Sequence, residues 1–434
     1  MVAPAFFFHQ LIHCARAGAA LAGFWTLNPA SASAQVVLPS PPSLRQLEDF
    51  LRAARENSPL LLDLRGQVAQ NRLDSLRRVA QNRPYVAGTV VAVAAPVLNR
   101  FGYDQAVTNG GNYGAVASAT RPLFNRNLLQ NDYRTLANQG QVLRNTGRLS
   151  ALDLRRTVTD QFLTTYAARQ QLTFSQELLA QLRQQDRLLR RLVDGGLYRQ
   201  TQYLSYYLSV RSQEVAVQQA RQAYRRELGT LRYLCGTPDT ALVAVAAPAP
   251  PTRHALAGLA SITQRQYTLD SLRLTLDRRT VDLSYRPRVH AVLDAGVQSS
   301  ALLAVGRRFG ASGGLQLAVP LFDGHQRQLA YQRLTVAEQT RRGYRTFLTA
   351  QRQQLYDQLQ SQARANTALL ASLREQLRIA NALVAASRQQ LATGDITILD
   401  YLQLINSTRT FQFGFAQAET ERLRTLYALD YLSE

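Results

Sequence analysis

Pro122-Leu123-Phe124-Asn125 returns as Pro320-Leu321-Phe322-Asp323, and Gly196, with Tyr203-Leu204 seven residues on, returns as Gly394 with Tyr401-Leu402. Both landmarks are displaced by the same 198 residues (122 to 320, 196 to 394). The spacing from proline to glycine is kept while nearly everything between has diverged. Each half therefore carries a rod of fixed length between two punctuation points. The rod must be helical: none of the fifteen prolines falls between Pro122 and Pro238 or after Pro320. Proline-free stretches rich in Leu, Gln, Arg and Ala are what a helix tolerates. An unbroken helix over 127–194 would be about 100 Å long at ~1.5 Å per residue.

In the second half Leu348, Leu355, Leu359, Leu369, Leu373, Ala380, Val384 and Leu391, with Gln362, Asn366 and Ser387 between them, step by three and four. That spacing predicts a coiled-coil seam diluted by polar residues. Gly195-Gly196 and Gly394 supply the left-handed ends of the rods. A second helix follows each, over 201–234 and 398–432, so each half holds a long helical hairpin.

The segments before the rods have a different period. Val289, Ala291, Leu293, Ala295 and Val297 are apolar, with His290, Asp294 and Gln298 between them. Phe309, Ala311, Leu315, Leu317, Val319 and Leu321 continue the pattern around Ser312, Gly314 and Gln316. Alternation over about ten residues predicts strands long enough to cross a membrane at a tilt. The first half offers 85–97 and 113–124, the former with Val90 to Val93 apolar on both faces. Pro84 to Pro122 is five residues longer than Pro287 to Pro320, and Asn109-Gly110-Gly111-Asn112 accommodates the difference as a loop tip.

Residues 1–34 have a separate character. Arg16, the weakly polar run 17–27 and Ala32-Ser33-Ala34 before Gln35 predict a cleaved secretory signal. Leu11-Ile12-His13-Cys14 has the outline of a lipoprotein box, but the histidine and the apolar run after the cysteine oppose it. The expected organisation is a signal peptide (1–34), a first repeat (35–236), a linker (237–254) with Pro248, Pro250 and Pro251, and a second repeat (255–434).

All 50 basic residues are arginines, against 29 acids, for a net charge of +21. They are spread along the helices, as in Arg183, Arg187, Arg190, Arg221 and Arg225, without a recognition motif, so they predict solvated faces rather than nucleic-acid binding. Anionic lipid headgroups or lipopolysaccharide are secondary contacts that such a charge would favour. Beyond the signal only Cys235 remains, read as a small buried residue at a helix end. His254, His290 and His325 are too scattered for a metal cluster. No phosphate loop, serine elbow or paired carboxylate is present, so neither an enzyme nor a cofactor is expected.

With these features in order, the chain from about residue 43 to Leu432 resembles the TolC-like outer-membrane efflux proteins. The resemblance rests on the duplication, Asn57-Ser58-Pro59 at a helix start, Arg83-Pro84 and Arg286-Pro287 before strands, the Pro-Leu-Phe exits, and the turns at Gly196-Leu197 and Gly394 to Leu402. It implies an α+β membrane protein of the cell outer membrane with a large periplasmic portion. In a homotrimer, four transmembrane strands per protomer would form a 12-stranded β-barrel continued by a 12-helix α-barrel. The barrel would hand over to the tunnel at Pro122 and Pro320. Gly196, Leu197, Gly394, Asp395 and Ile396 would be periplasmic tips that dock an adaptor protein, with a proton-driven inner-membrane transporter beyond.

By the same resemblance Asp400 corresponds to an acidic gate residue at the tunnel entrance, repeated three times in a trimer. Gln403 stands where another acid can occur, Gln202 is the first-half equivalent of Asp400, and Leu391 replaces an aromatic gate residue. The other reading of Asp400 is a carboxylate stabilised by the start of its own helix. Three functions stay open: an exit duct for a tripartite efflux pump, a duct for type I protein secretion, and a periplasmic coiled-coil scaffold without a channel.

Overall fold

The computed structural model describes residues 44–95, 111–239, 241–251 and 262–433. The signal peptide and the tip Asn109-Gly110 lie outside the described residues. The chain runs through α1 (Leu47–Asn57), α2 (Pro59–Ala80), β1 (Tyr85–Ala94), β2 (Gly111–Leu123), α3 (Arg126–Asp194) and α4 (Gln200–Cys235). It continues through α5 (Ile262–Ser284), β3 (Arg288–Ser299), a short 3-10 turn, β4 (Phe309–Ala318), α6 (Gln326–Thr393) and α7 (Ile398–Ser433). The two rods are α3, with 69 residues, and α6, with 68.

β1 to β4 form one antiparallel sheet in chain order. Residues directly opposite one another share a face. Ala115, Ala117 and Ala119 of β2 lie against Val297, Ala295 and Leu293 of β3, whose partners on β4 are Phe309, Ala311 and Gly313. The other face collects Ser118, Asp294 and Ser312 in one row, and Pro122, His290 and Gln316 in another. On β2 to β4 the strand alternation of the sequence is thus a two-faced sheet, one side mainly apolar and the other carrying the polar residues, while β1 is apolar on both, with Val91 and Val93 beside Gly114 and Asn112. Every residue of β4 is exposed, and the strands bury little on either side. Among the described residues the outer edges of β1 and β4 carry no partner strand. No described helix is long and apolar enough to cross a membrane.

β4 ends at Ala318, three residues before the expected Leu321. The next ladder partner would be Pro287, just before β3, and proline has no N–H to donate. β2 keeps its partners through Leu123, with Pro122 beside the strand end where the missing donor is tolerated. β2 itself starts at Gly111, two residues earlier than the alternation suggested.

α6 corrects the expected seam. The row that is buried or half-buried runs Tyr356, Ala363, Leu370, Leu377, Val384 and Leu391, with Leu359, Asn366, Leu373, Ala380 and Ser387 between. Its steps of four and three are regular heptads. Leu348, Leu355, Gln362 and Leu369 instead form a second row displaced by one residue, whose leucines are exposed on the protomer. The expected Leu359, Asn366, Leu373, Ala380, Val384, Ser387 and Leu391 do lie in the inner row, which Tyr356, Ala363, Leu370 and Leu377 complete.

Between α3 and α5 the heptad spacing carries asparagine. Asn131, Asn138 and Asn145 are buried, and their Nδ2 atoms donate to the carbonyls of Leu276 (3.3 Å), Leu269 (3.1 Å) and Ile262 (3.0 Å). Donors and acceptors both recur every seven residues, so the ladder defines the antiparallel register of the two helices.

A central core joins the halves: Phe50 of α1, Phe162 and Leu163 of α3, Leu228, Leu231 and Cys235 of α4, Val245 of the linker, and Leu423 and Tyr427 of α7. Phe50 and Phe162 meet edge to face at 5.9 Å. The linker is fastened here by Tyr224 Oη donating to the Val243 carbonyl (2.6 Å) and Tyr427 Oη to the Ala249 carbonyl (2.8 Å). Cys235 is buried, and burial pushes its thiol up to about 11.

Phe162→Ala should lower stability by about 3–5 kcal/mol, the cost of emptying a fully buried aromatic site. Phe124, 91% exposed with φ of 53°, is the opposite case. Phe124→Gly removes a left-handed strain of about 1–2 kcal/mol and should leave stability unchanged or raised. Guanidinium unfolding of the two variants against the parent checks both.

Candidate functional site

The far ends of the two rods come together. α3 closes in a glycine turn: Leu197 N–H donates to the Leu192 carbonyl (2.9 Å), Gly196 N–H to that of Val193 (2.9 Å), and Gly196 takes φ of 80°. α6 closes in the same way, with Asp395 N–H on the Gln390 carbonyl (2.9 Å) and Gly394 at φ of 86°. Both are six-to-one closures that satisfy otherwise orphan carbonyls. Gly195, the other half of the glycine pair, stays right-handed.

The turns touch. A Cβ built on Gly394 would stand 3.1 Å from Cδ1 of Leu197. The Tyr198 hydroxyl reaches the carbonyls of Leu391 (2.8 Å) and Ile396 (2.9 Å), binding the first-half turn to the second. Burial, and then the Asp395 carboxylate, raise its pKa. Sequence reasoning passed over Tyr198, although its place two residues after Gly196 is a detectable signal.

Beneath the turns lies a core of Leu178, Leu182, Leu189, Tyr206, Val210, Leu391, Ile398, Tyr401, Leu402 and Ile405. Tyr206, fully buried, donates to the Leu182 carbonyl (2.7 Å), and desolvation raises its pKa well above the usual tyrosine range. Leu391, placed at the gate by resemblance, is fully buried in this core, so its side chain packs within the protomer.

Asp400 and Gln202 occupy equivalent positions at the third residue of their helices. Thr397 Oγ1 donates to Asp400 Oδ2 (2.6 Å), and the Asp400 N–H donates back to Oγ1 (3.1 Å). Gln202 Oε1 accepts the Arg199 N–H (3.2 Å). Each caps the helix after its turn. Asp400 and Gln403 are exposed and one helical turn apart, beside the exposed Leu399. Asp395 and Leu197 are also at the surface, and Ile396 is half-buried.

The echoed Tyr-Leu pair diverges in use. Leu402 is 6% exposed and Leu204 54%. Tyr401 is buried, whereas the half-buried Tyr203 takes a hydrogen bond from Arg190 Nε (2.6 Å) and donates to Asp186 (3.1 Å). The surface around Gly196 therefore presents Leu197, Leu204 and Leu208, and that around Gly394 presents Leu399 and Asp400.

At the other end of the rods, Asn125 and Asp323 hold the exits from the sheet. Asn125 donates to the side chain of Asn82 at the end of α2. Asp323 accepts the backbone N–H groups of Arg327 (2.9 Å) and His325 (3.0 Å). The Tyr285 hydroxyl and then these amides hold its carboxyl below the usual range. His290 and Asp294 fall on the polar face, four residues apart, and Ser312 Oγ is 3.4 Å from Asp294. Among the described residues no group of three or more His, Cys, Asp or Glu could hold a metal ion.

No protein-family model and no curated protein matches this chain in sequence. Solved structures do match. CusC, a transmembrane channel, aligns with a TM-score of 0.74 and 12% identity over 90% of this chain and 92% of its own. The outer membrane protein VceC of Vibrio cholerae aligns at 0.73 and 12%, over 89% and 95%. The open state of the MtrE outer membrane channel of Neisseria gonorrhoeae gives 0.71 and 13%, over 89% and 88%. The fold is that of the TolC-like outer-membrane channels.

Gly196→Ala should cost about 1 kcal/mol or more through its left-handed backbone alone. Gly394→Ala should cost more, because its methyl also displaces Leu197. Thermal unfolding of the two variants measures the difference, and equal losses would show that the turns do not bear on one another.

Proposed function

We propose that this protein is a passive exit duct in the cell outer membrane for a tripartite efflux pump. The observation that carries this reading is the four-stranded sheet: apolar on one face, polar on the other over β2 to β4, little buried on either, and without a partner strand at either edge among the described residues. Lipid against the apolar face and water against the polar one satisfy both faces at once. In hydrocarbon an unpaired strand edge is not tolerated, so the sheet must close on other copies. Three protomers close a 12-stranded barrel, and their helices continue it as a 12-helix tunnel. Pro122 and Pro320 then mark the change from barrel to tunnel.

The second row on α6 supports closure. Leu348, Leu355 and Leu369 are exposed on the protomer at heptad spacing, as a helix in a closed ring needs contacts on two sides. The cleaved signal at 1–34 delivers the chain to the periplasm, and the repeats 35–236 and 255–434 span the same distance because their rods match in length. The far tips, at Gly196, Leu197, Gly394, Asp395 and Ile396, dock a periplasmic adaptor. A proton-driven inner-membrane transporter supplies the energy. Asp400, on the exposed side of its capping bond, comes round the entrance three times with Gln403 below it, and Gln202 leaves the first-half position uncharged. Three carboxylates at close range capture multivalent cations.

In membrane fractions the protein should run as a heat-modifiable trimer and conduct ions across planar bilayers. A soluble monomer without conductance would sink the duct in favour of a scaffold. Leu369→Glu should abolish the trimer in mild detergent. Asp400→Ala should weaken block by multivalent cations, and unchanged block would remove Asp400 from the entrance. Neighbouring genes for an adaptor and a proton-driven pump support efflux, and an ATP-driven exporter there supports protein secretion instead.

A further inference from the structure

Inside the protomer the helices nearest the sheet pack in the order of their strands: α2 on α3, α3 on α5, and α5 on α6. α2 and α6 stand at the ends of this row, as β1 and β4 stand at the ends of the sheet. α2 leads into β1, and α6 follows β4. A ring closed at those strand edges therefore brings α6 of one copy beside α2 of the next.

The joint between α3 and α5 is the template for that contact. α3 returns as α6 at an offset of 198 residues (122 to 320), and α2 returns as α5 at an offset of 203 (84 to 287). The buried Asn131, Asn138 and Asn145 of α3 thus correspond to Leu329, Val336 and Gly343 of α6. The buried Leu269, Leu276 and Leu283 of α5 correspond to Gly66, Leu73 and Ala80 of α2. All six equivalents are exposed on the protomer, Leu73, Leu329 and Val336 by 60% or more. Each end of the helical row therefore carries an uncovered apolar stripe at heptad spacing.

The hydrogen bonds of the template define a register. Asn131 reaches the carbonyl of Leu276, Asn138 that of Leu269, and Asn145 that of Ile262. By the same offsets Leu329 comes level with the next copy's Leu73, Val336 with its Gly66, and Gly343 with its Pro59. Gly66 and Gly343 lie inside helices, where glycine is unfavourable. A Cβ built on either meets nothing within 4 Å in the protomer. Glycine lets a neighbouring chain approach a backbone closely, and Val336 over Gly66 would occupy that room.

Building on the duct reading, we propose that copies of this chain join through Leu329, Val336 and Gly343 of one α6 and Leu73, Gly66 and Pro59 of the next α2, in that register. The joint inside the protomer is fixed by asparagine hydrogen bonds. The joint between copies is apolar and closes without burying an amide.

The test is disulfide cross-linking of the full chain in membrane fractions. Leu73→Cys/Leu329→Cys should give covalently linked copies on oxidation, reversed by reductant, because a disulfide forms only where two Cα atoms approach within about 7 Å. Leu73→Cys/Val336→Cys, one heptad out of register, should not link, and neither should the parent, whose Cys235 is buried. Gly66→Leu meets no protomer atom and should keep the helical circular dichroism of the parent while weakening trimer assembly about tenfold by overpacking the joint. Linkage through the shifted pair, linkage through neither pair in a trimer that conducts, or unchanged assembly of Gly66→Leu would overturn the register and leave the duct standing. A parent that neither trimerises nor conducts sinks the duct and the register with it.

Discussion

The open backbone edges of β1 and β4 are the requirement that the protomer leaves unmet. The proposed duct meets it by completing the sheet with copies of itself in a medium without water. The two faces of β2 to β4 alternate with period two, one apolar and one polar, as the proposed duct requires. The helices that continue the strands are long, and α6 carries two heptad rows, one buried within the protomer and one exposed on it. The net charge of +21 is borne mostly by these helices, away from the apolar face of the strands.

The duplication sets equal lengths but not equal surroundings. Gly196 and Gly394 end rods of 69 and 68 residues with the same left-handed turn. Yet Leu402 packs in the tip core and Leu204 faces outward, Tyr401 is buried and Tyr203 pairs with Arg190 and Asp186. One turn lies against the other through Leu197 and Tyr198, and two surfaces in contact cannot both be outermost. An internal repeat in a protomer thereby presents two different tips, one leucine-rich and one with a capped carboxylate.

The elements with strong local signals are legible in the residues alone. Proline exclusion and glycine turns place α3, α4, α6 and α7 within a residue or two, and the alternation of β3 gives its faces. The equivalence of Gln202 and Asp400 is also readable from the repeat, and both prove to be third residues of their helices. Less is legible where a partner decides. The seam of α6 is displaced by one residue in the series of Leu355 and Leu369, because leucine spacing alone does not say which of two heptad rows faces inward. Leu391 lies in the protomer's own core, although the resemblance put it at a gate. β4 stops at Ala318 because of Pro287, just before the neighbouring strand, a constraint absent from its own residues.

Local backbone preferences, written along the chain, settle which segments are helix or strand, where left-handed turns end them, and that the halves match in length. The pairing of those segments is a property of the folded protomer. Folding selects which row of α6 meets α7 and which of two echoed tyrosines is buried, and it ties one turn to the other through Tyr198. It also buries the asparagine row of α3 and leaves the equivalent Leu329 and Val336 of α6 exposed. Backbone geometry is set by neighbours in the chain, whereas burial and charge balance depend on groups brought together from residues more than a hundred positions apart.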